Sequence, residues 1–210
     1  MTTRVFLLRH AESANPHVFH GAESDTELSA LGERQAWAIA ESLHTAELQA
    51  VVASAMRRAQ RTAHAIAEAC HLSVQTEPDL HERRVGFMSG QSFDGGNGIW
   101  PETVRRWDAG ETSFAHEGAE SLDDLRQRLM PVWNRITERH AGKRIAVVAH
   151  GVVIKTLLVT LLPGRSWQAI GSIRNTAITE LVKNEDDWEA IRIDDLPSNV
   201  IGLQAPTIPH

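Results

Sequence analysis

The sequence predicts an α/β fold, three layers deep, with helices on both faces of a mainly parallel central sheet. Three observations carry the prediction. Short apolar runs alternate along the chain with longer stretches of helical periodicity. Two of the runs, Val5-Phe6-Leu7-Leu8 and Ile145-Ala146-Val147-Val148-Ala149, contain no polar residue, as strands buried on both faces require. The chain is 210 residues long, which suits one domain with a real core; two domains are possible but not required.

The elements follow in order. Val5 to Leu8 is the first strand, and a polar, His-rich loop from Ala14 to Asp25, broken by Pro16 and Gly21, comes after it. Leu28, Leu31, Ala36, Ile39, Ala40 and Leu43 recur at helical spacing and predict an amphipathic helix over about residues 30–44. Ala50 to Ala53 is a second strand running into a helix over Met56 to Ala69, where Ala, Gln and Arg favour that state. Leu72 to Thr76 reads as a third strand, and Pro78 to Gly98 as loop.

Trp100-Pro101 opens a helix through Trp107, with Pro101 in its first turn, and Asp108-Ala109-Gly110 ends it. Ser121-Leu122-Asp123-Asp124 has the form of a capping box with Asp in place of Glu. Behind it Leu122, Leu125, Leu129, Val132, Trp133 and Ile136 mark a long helix, with a kink expected at Pro131. The buried strand at Ile145 to Ala149 passes through His150-Gly151 into a helix over Val152 to Leu162. Ile173 to Val182 and Trp188 to Ile193 read as two late strands joined by the turn Lys183 to Asp187. The segment after Leu196, with three prolines, reads as a surface extension.

Composition narrows the function classes. A formal net charge of −6 argues against broad nucleic-acid binding. An anionic substrate would therefore need a local cationic pocket. No apolar stretch approaches the roughly 20 residues of a membrane span. The start, Met1-Thr2-Thr3-Arg4 followed at once by a strand, lacks the apolar region of an export signal. Cys70 is the single cysteine, so no intrachain disulfide forms and a cytoplasmic setting is expected.

Arg9-His10 stands directly after the first strand, at the kind of sheet edge where open α/β folds bind ligands. His150 stands just past another buried strand, and Ser54 past a third, followed by Arg57, Arg58 and Arg61 at a helix start. Arginine can pair bidentately with phosphate oxygens, and a helix N-terminus offers free N–H groups. Two His and two Arg at one edge form a phosphate-shaped constellation. Arg57 reads as a solvated helix-start charge and Arg61 as surface. His17, His20, His81 and His116 match no zinc spacing and read as exposed loop histidines, so no metal site is expected.

These residues resemble a known family. Leu7-Leu8-Arg9-His10-Ala11-Glu12-Ser13 is similar to the signature of the histidine phosphatase superfamily, the phosphoglycerate mutase-like fold. Leu28 to Ala36 is similar to the family's first helix, and Ser54 to Ala63 to its second-arginine segment. Leu80-His81-Glu82 with Gly86 and Gly90 resembles its acid loop, and Gly118 to Ser121 its later helix start. Val147 to Gly151 is similar to the second-histidine strand, and Asn175 to Thr179 to the strand after it. The resemblance covers nearly the whole chain in family order.

The resemblance implies a histidine acid phosphatase-type phosphoric monoester hydrolase. It would need no cofactor and no metal. His10 would attack phosphorus, while Arg9, Arg58 and His150 stabilise the non-bridging oxygens, with Asn15 and Gly151 as further phosphate ligands. Glu82 would protonate the leaving group and should sit partly desolvated to do so. Glu12 and Ser13 would support the site, and His20 would touch substrate. A single domain over 1–196 would carry specificity loops at about 14–27 and 90–118, with a tail at 197–210. The partner is a small phosphate ester; monomer and homodimer are both open.

Four departures from the family pattern bear on this. Ala11 replaces a usual Gly, Ala55 a common Pro and Met88 a common Trp, and the loop after Ser13 is shorter, which leaves Asn15 uncertain as the family's phosphate-loop residue. The alternative activity is a cofactor-dependent phosphoglycerate mutase. Such mutases carry a long insertion after the acid loop, rich in Tyr and basic residues, whereas here Gly90 to Gly118 is short and the chain has no Tyr. A catalytically dead binding domain is the third reading, and it requires the loss of a site residue that this chain retains.

Overall fold

The computed structural model describes residues 2–92, 98–185 and 187–204. Residues 93–97 of the predicted loops, Asp186 of the predicted turn and tail residues 205–210 lie outside the described residues. The elements in order are β1 (Thr3–Arg9), α1 (Ala30–Leu43), β2 (Ala50–Ser54), α2 (Arg57–Ala69), β3 (Val74–Glu77), α3 (Ile99–Asp108) and α4 (Leu122–Arg139). They continue with β4 (Arg144–Ala149), α5 (Gly151–Leu161), α6 (Trp167–Ile170), β5 (Ile178–Asn184), β6 (Asp187–Asp195) and α7 (Ser198–Ile201).

The strands form one sheet in the order β3-β2-β4-β1-β5-β6. β1, β2, β3 and β4 are mutually parallel, and β5 pairs antiparallel with both β1 and β6. Only β5 therefore runs against the rest, and the expected mainly parallel α/β class is met. Side chains alternate between faces along each strand. Val5 and Leu7 of β1 join Ile145, Val147 and Ala149 of β4 in one core, with α4 and α5 over it. Phe6 and Leu8 join Ala146 and Val148 in the other, under α1 and α2. The sheet is thus covered on both sides, which is why the runs Val5 to Leu8 and Ile145 to Ala149 within its central strands contain no polar residue.

Capping fixes where helices begin. Ser29 caps α1 through Gly32 N–H, and Ser121 with Asp124 forms a complete capping box on α4. α4 runs on through the exposed Pro131 as one helix of 18 residues.

Two expectations are corrected. The strand expected from Ile173 begins only at Ile178, because Thr176 takes a left-handed φ of 58° that an extended strand cannot contain. The segment after Leu196 is no free extension over its described part. There α7 buries Val200, Asn199 Nδ2 donates to Ala38 O of α1, and Gln35 Nε2 donates to Leu203 O.

Candidate active site

The parallel pairing of β1 with β4 sets Arg9 opposite Ala149, so the residues that follow, His10 and His150, emerge side by side. Their rings lie 5.1 Å apart, and His10 N–H still donates to Ala149 O at 3.0 Å. β2 lies on the other side of β4 and delivers Ser54, after which α2 brings Arg58 over the same edge. The four predicted basic residues therefore converge from three strand ends.

His10 is held in one useful orientation. Its Nδ1 lies 2.7 Å from Ala11 O, so Nδ1 carries the proton and Nε2 keeps its lone pair. Arg58 Nε donates to that Nε2 at 3.3 Å. Burial first, then the Arg58 and Arg9 charges, hold the imidazole well below its ordinary pKa, so it is neutral near pH 7. Ala11, where the family favours Gly, keeps an ordinary negative φ and donates its N–H to Thr62 Oγ1. The substitution is accommodated without strain.

Arg58 is fully buried and is held by uncharged partners, with Nη1 donating to Ser24 O at 2.8 Å and Nη2 to His20 O at 3.4 Å. Burial lowers its pKa, opposed by Glu82 and Asp25. Arg9 Nη1 donates to Ile173 O at 2.6 Å, while its Nε is buried with no partner among the described residues. His150 is also fully buried. Its Nε2 lies 2.9 Å from Ser54 Oγ, and its Nδ1 has no partner among the described residues. Burial, followed by Arg58, His10 and Arg9, lowers its pKa well below the usual value.

Buried polar nitrogens without a hydrogen bond are rare in folded proteins; Arg9 lines the cavity in front of His10, and His150 and Arg58 stand behind its lining. Gly151 opens α5 beside Arg9; a Cβ there would stand 3.7 Å from Arg9 Nε, an ordinary contact.

Glu82 is 8% exposed and lines the same cavity as His10. Its Oε1 accepts from Arg83 N–H at 2.8 Å and its Oε2 from Val152 N–H at 3.4 Å, which ties the acid loop to the first turn of α5. Glu12 is buried, and its Oε1 accepts from Ser29 Oγ, linking the His10 loop to the α1 cap. Ser13 is buried and also lines the cavity.

Two loop residues are engaged within their own loop. Asn15 is exposed with a φ of 56° and stands outside the cavity lining; its carbonyl accepts from His20 Nε2 at 2.9 Å. His20 does line the cavity, but both its nitrogens are engaged, the other with Ser24 Oγ at 2.8 Å. The short loop after Ser13 thus uses Asn15 and His20 to fold on itself and to present carbonyls to Arg58.

Of the histidines read as exposed, only His17 is so. His81 and His116 are half-buried, bonded to Glu82 O and Thr103 Oγ1. No group of three or more His, Cys, Asp or Glu placed to hold a metal occurs among the described residues. Arg57 and Arg61 are exposed and ion-paired with Glu27 and Glu33.

Sequence reasoning missed Asn175, whose Nδ2 donates to His10 O at 2.8 Å, as well as Arg83 and Lys155. The signal available for Asn175 was its place in the segment matching the family's late strand. The cavity in front of His10 has a volume of about 700 Å³ and is walled by residues of the loops before Glu27 and after Glu82, and of α3, α5 and α6. No helix among the described residues is long and apolar enough to cross a membrane.

A family model described as the histidine phosphatase superfamily, branch 1, matches residues 5–196. The chain belongs to this superfamily. It is 30% identical over 190 residues to a metal-independent phosphoserine phosphatase of Arabidopsis thaliana, covering 89% of this chain and 79% of that protein. It is 31% identical over 195 residues to a probable phosphoglycerate mutase of Yersinia enterocolitica, covering 89% and 88%. A solved mycobacterial glucosyl-3-phosphoglycerate phosphatase superposes with a TM-score of 0.80 at 27% identity, covering 93% of this chain and all of that one. Superfamily and neighbours together indicate phosphatase activity in general.

Proposed function

We propose that this protein is a metal-independent phosphomonoesterase that hydrolyses a small phosphorylated metabolite through a phosphohistidine on His10. The observation that carries the reading is the convergence of Arg9, Arg58 and His150 on a histidine whose Nε2 holds its lone pair.

A phosphate dianion repels nucleophiles, so its oxygens need cationic or N–H donors as charge shifts. Arg9 Nε supplies one. Ser54 Oγ accepts from Met56 N–H, so its own proton is free for His150 Nε2, which leaves the imidazole proton on Nδ1 as a second donor. Arg58 Nε supplies a third by turning from His10 Nε2 onto the arriving phosphoryl group.

The N–P bond forms at His10 Nε2 as the P–O bond to the alcohol breaks, and Glu82 gives its proton to the departing oxygen. Positive charge on the phosphorylated ring is stabilised by the Nδ1–H bond to Ala11 O. Glu82, now a carboxylate, takes a proton from the water that attacks phosphorus. The N–P bond then breaks and orthophosphate leaves.

The test is a panel of phosphorylated metabolites assayed with excess EDTA, alongside His10→Ala. Phosphate release that persists in EDTA and falls by at least about 10³-fold in the variant is expected. Activity surviving His10→Ala refutes the covalent route. A probable mutase among the relatives supplies the competing reading. A phosphoglycerate isomerisation that depends on 2,3-bisphosphoglycerate and outruns hydrolysis decides for that reading.

A further inference from the structure

Beyond the phosphoryl position the cavity changes character. Val18, Phe19, Val85, Met88, Trp100 and Val104 give it an apolar wall. At about 700 Å³ it suits an organic group of drug size and is far larger than a phosphate requires. Two cations stand among these apolar residues.

Arg83 is 1% exposed, and its Nη2 is buried without a partner among the described residues. Its guanidinium carbon lies 5.3 Å from the Trp100 ring centre and 5.2 Å from that of Trp107. The Lys155 ammonium, on the α5 face that lines the cavity, sits 4.7 Å over the Trp167 ring. The three indoles meet edge to face at 5.0–5.9 Å and hold one another rigid.

Neither cation has a carboxylate to itself. Lys155 makes no ion pair among the described residues. The acid that acts on it, Asp108, is already bonded to Trp167 N–H and Gln168 N–H at the start of α6. Around Arg83, Glu120 is gripped bidentately by Arg128, Glu23 accepts from Val85 and Gly86 N–H, and Glu82 serves the leaving group. Burial pushes the Lys155 pKa down to about 8 and that of Arg83 down to about 10. Desolvated cations whose neighbouring carboxylates are already engaged elsewhere are unfavourable for folding alone. A ligand anion beside the Lys155 ammonium would relieve it, with the buried Arg83 charge behind the same wall.

We propose that Lys155, supported by Arg83 and the tryptophan wall, forms a second anion subsite selecting phosphate esters whose alcohol carries a carboxylate beyond a flat apolar spacer. The proposal rests on the reading of His10 as phosphoryl acceptor, which places the ester phosphate at the other end of the cavity. The spacer would lie along the apolar wall at Trp100, Val85 and Val104, with the buried Trp107 and Trp167 behind it.

Binding of non-hydrolysable probes tests the subsite apart from turnover. Benzylphosphonate, its 4-carboxy derivative and its 4-(2-carboxyethyl) derivative would be titrated calorimetrically into the full chain, the two acids giving two reaches. At least one acid is expected to bind about 10- to 100-fold tighter than the parent, as a charge-assisted contact warrants. Lys155→Met should abolish that advantage and Lys155→Glu should reverse it. If Lys155→Met does not fold, as judged by its melting curve, Lys155→Gln takes its place.

Equal affinity for all three probes, no binding of any, or an advantage that survives loss of the ammonium overturns the subsite. Hydrolysis of 4-nitrophenyl phosphate by the unmodified chain is scored separately. Selective binding without hydrolysis keeps the subsite and removes the phosphatase reading.

Discussion

Three residues set the chemistry, and each is controlled by a hydrogen bond rather than by its type alone. Ala11 O fixes the His10 tautomer, Ser54 Oγ holds the His150 ring through its Nε2, and Arg83 N–H with Val152 N–H orients Glu82. The proton-donor role proposed for Glu82 makes a sharp prediction. Glu82→Gln keeps an oxygen for Arg83 N–H and loses the transferable proton. Its kcat/KM for alkyl phosphates should fall by about 10²–10⁴, the usual worth of a placed general acid. For 4-nitrophenyl phosphate, whose leaving group departs without a proton, the loss should be far smaller. Equal losses on both substrates would show that Glu82 positions the site and does not donate. His10, Arg9, Arg58, His150 and Glu82 were all legible as residues in the sequence. Their hydrogen bonds were not, because partners such as Ser54, Ala11 O and Asn175 lie far apart in the chain or are backbone atoms.

At the level of elements, helix α1 controls the loop behind His10. A Cβ on Gly32 would stand 2.1 Å from Glu12 O, so only glycine allows α1 to approach the His10 loop this closely. Ser29, which caps α1, also bonds Glu12 Oε1. Gly32→Ala must therefore push α1 and residues 10–13 apart. It is expected to cost about 1–3 kcal/mol, the usual range for overpacking, and to lower kcat/KM with the Tm. A calorimetric scan with parallel kinetics checks both, and an unchanged Tm would show that the approach is not tight. β1, β4, α1 and α4 were legible because strong periodicity or an unbroken apolar run dictates them. α6 has four residues, too short for any periodicity, and its start rests on the cap Ser166. The late start of β5 comes from Thr176, bent by the needs of the site at Arg9 and His10, whose backbone and side-chain bonds reach into 173–176. The tertiary demand overrode a local strand signal there. The same holds after Leu196, where three prolines suggested solvent and the apolar flank of α1 captured Val200.

At the scale of the whole molecule, the fold gathers three separated strand ends into one basic cluster in a chain of net charge −6. Alternation of strand and helix announced the α/β class. It could not announce that β4 inserts between β1 and β2, which brings His10 beside His150 and Arg58 within reach of both. Strand order is set by long-range packing, and local periodicity does not report it. The cavity's distal half was illegible for the same reason, because Arg83, Trp100, Lys155 and Trp167 come from four segments. The central claim is covalent transfer to His10. It is tested most directly by mixing the protein with a hydrolysed ester labelled in its phosphate, quenching within milliseconds in alkali, and mapping the label. An acid-labile, alkali-stable phosphate on the peptide containing His10 is the predicted result. Label released only as orthophosphate through the whole pre-steady-state phase, with none on protein even in Glu82→Gln, would contradict the account.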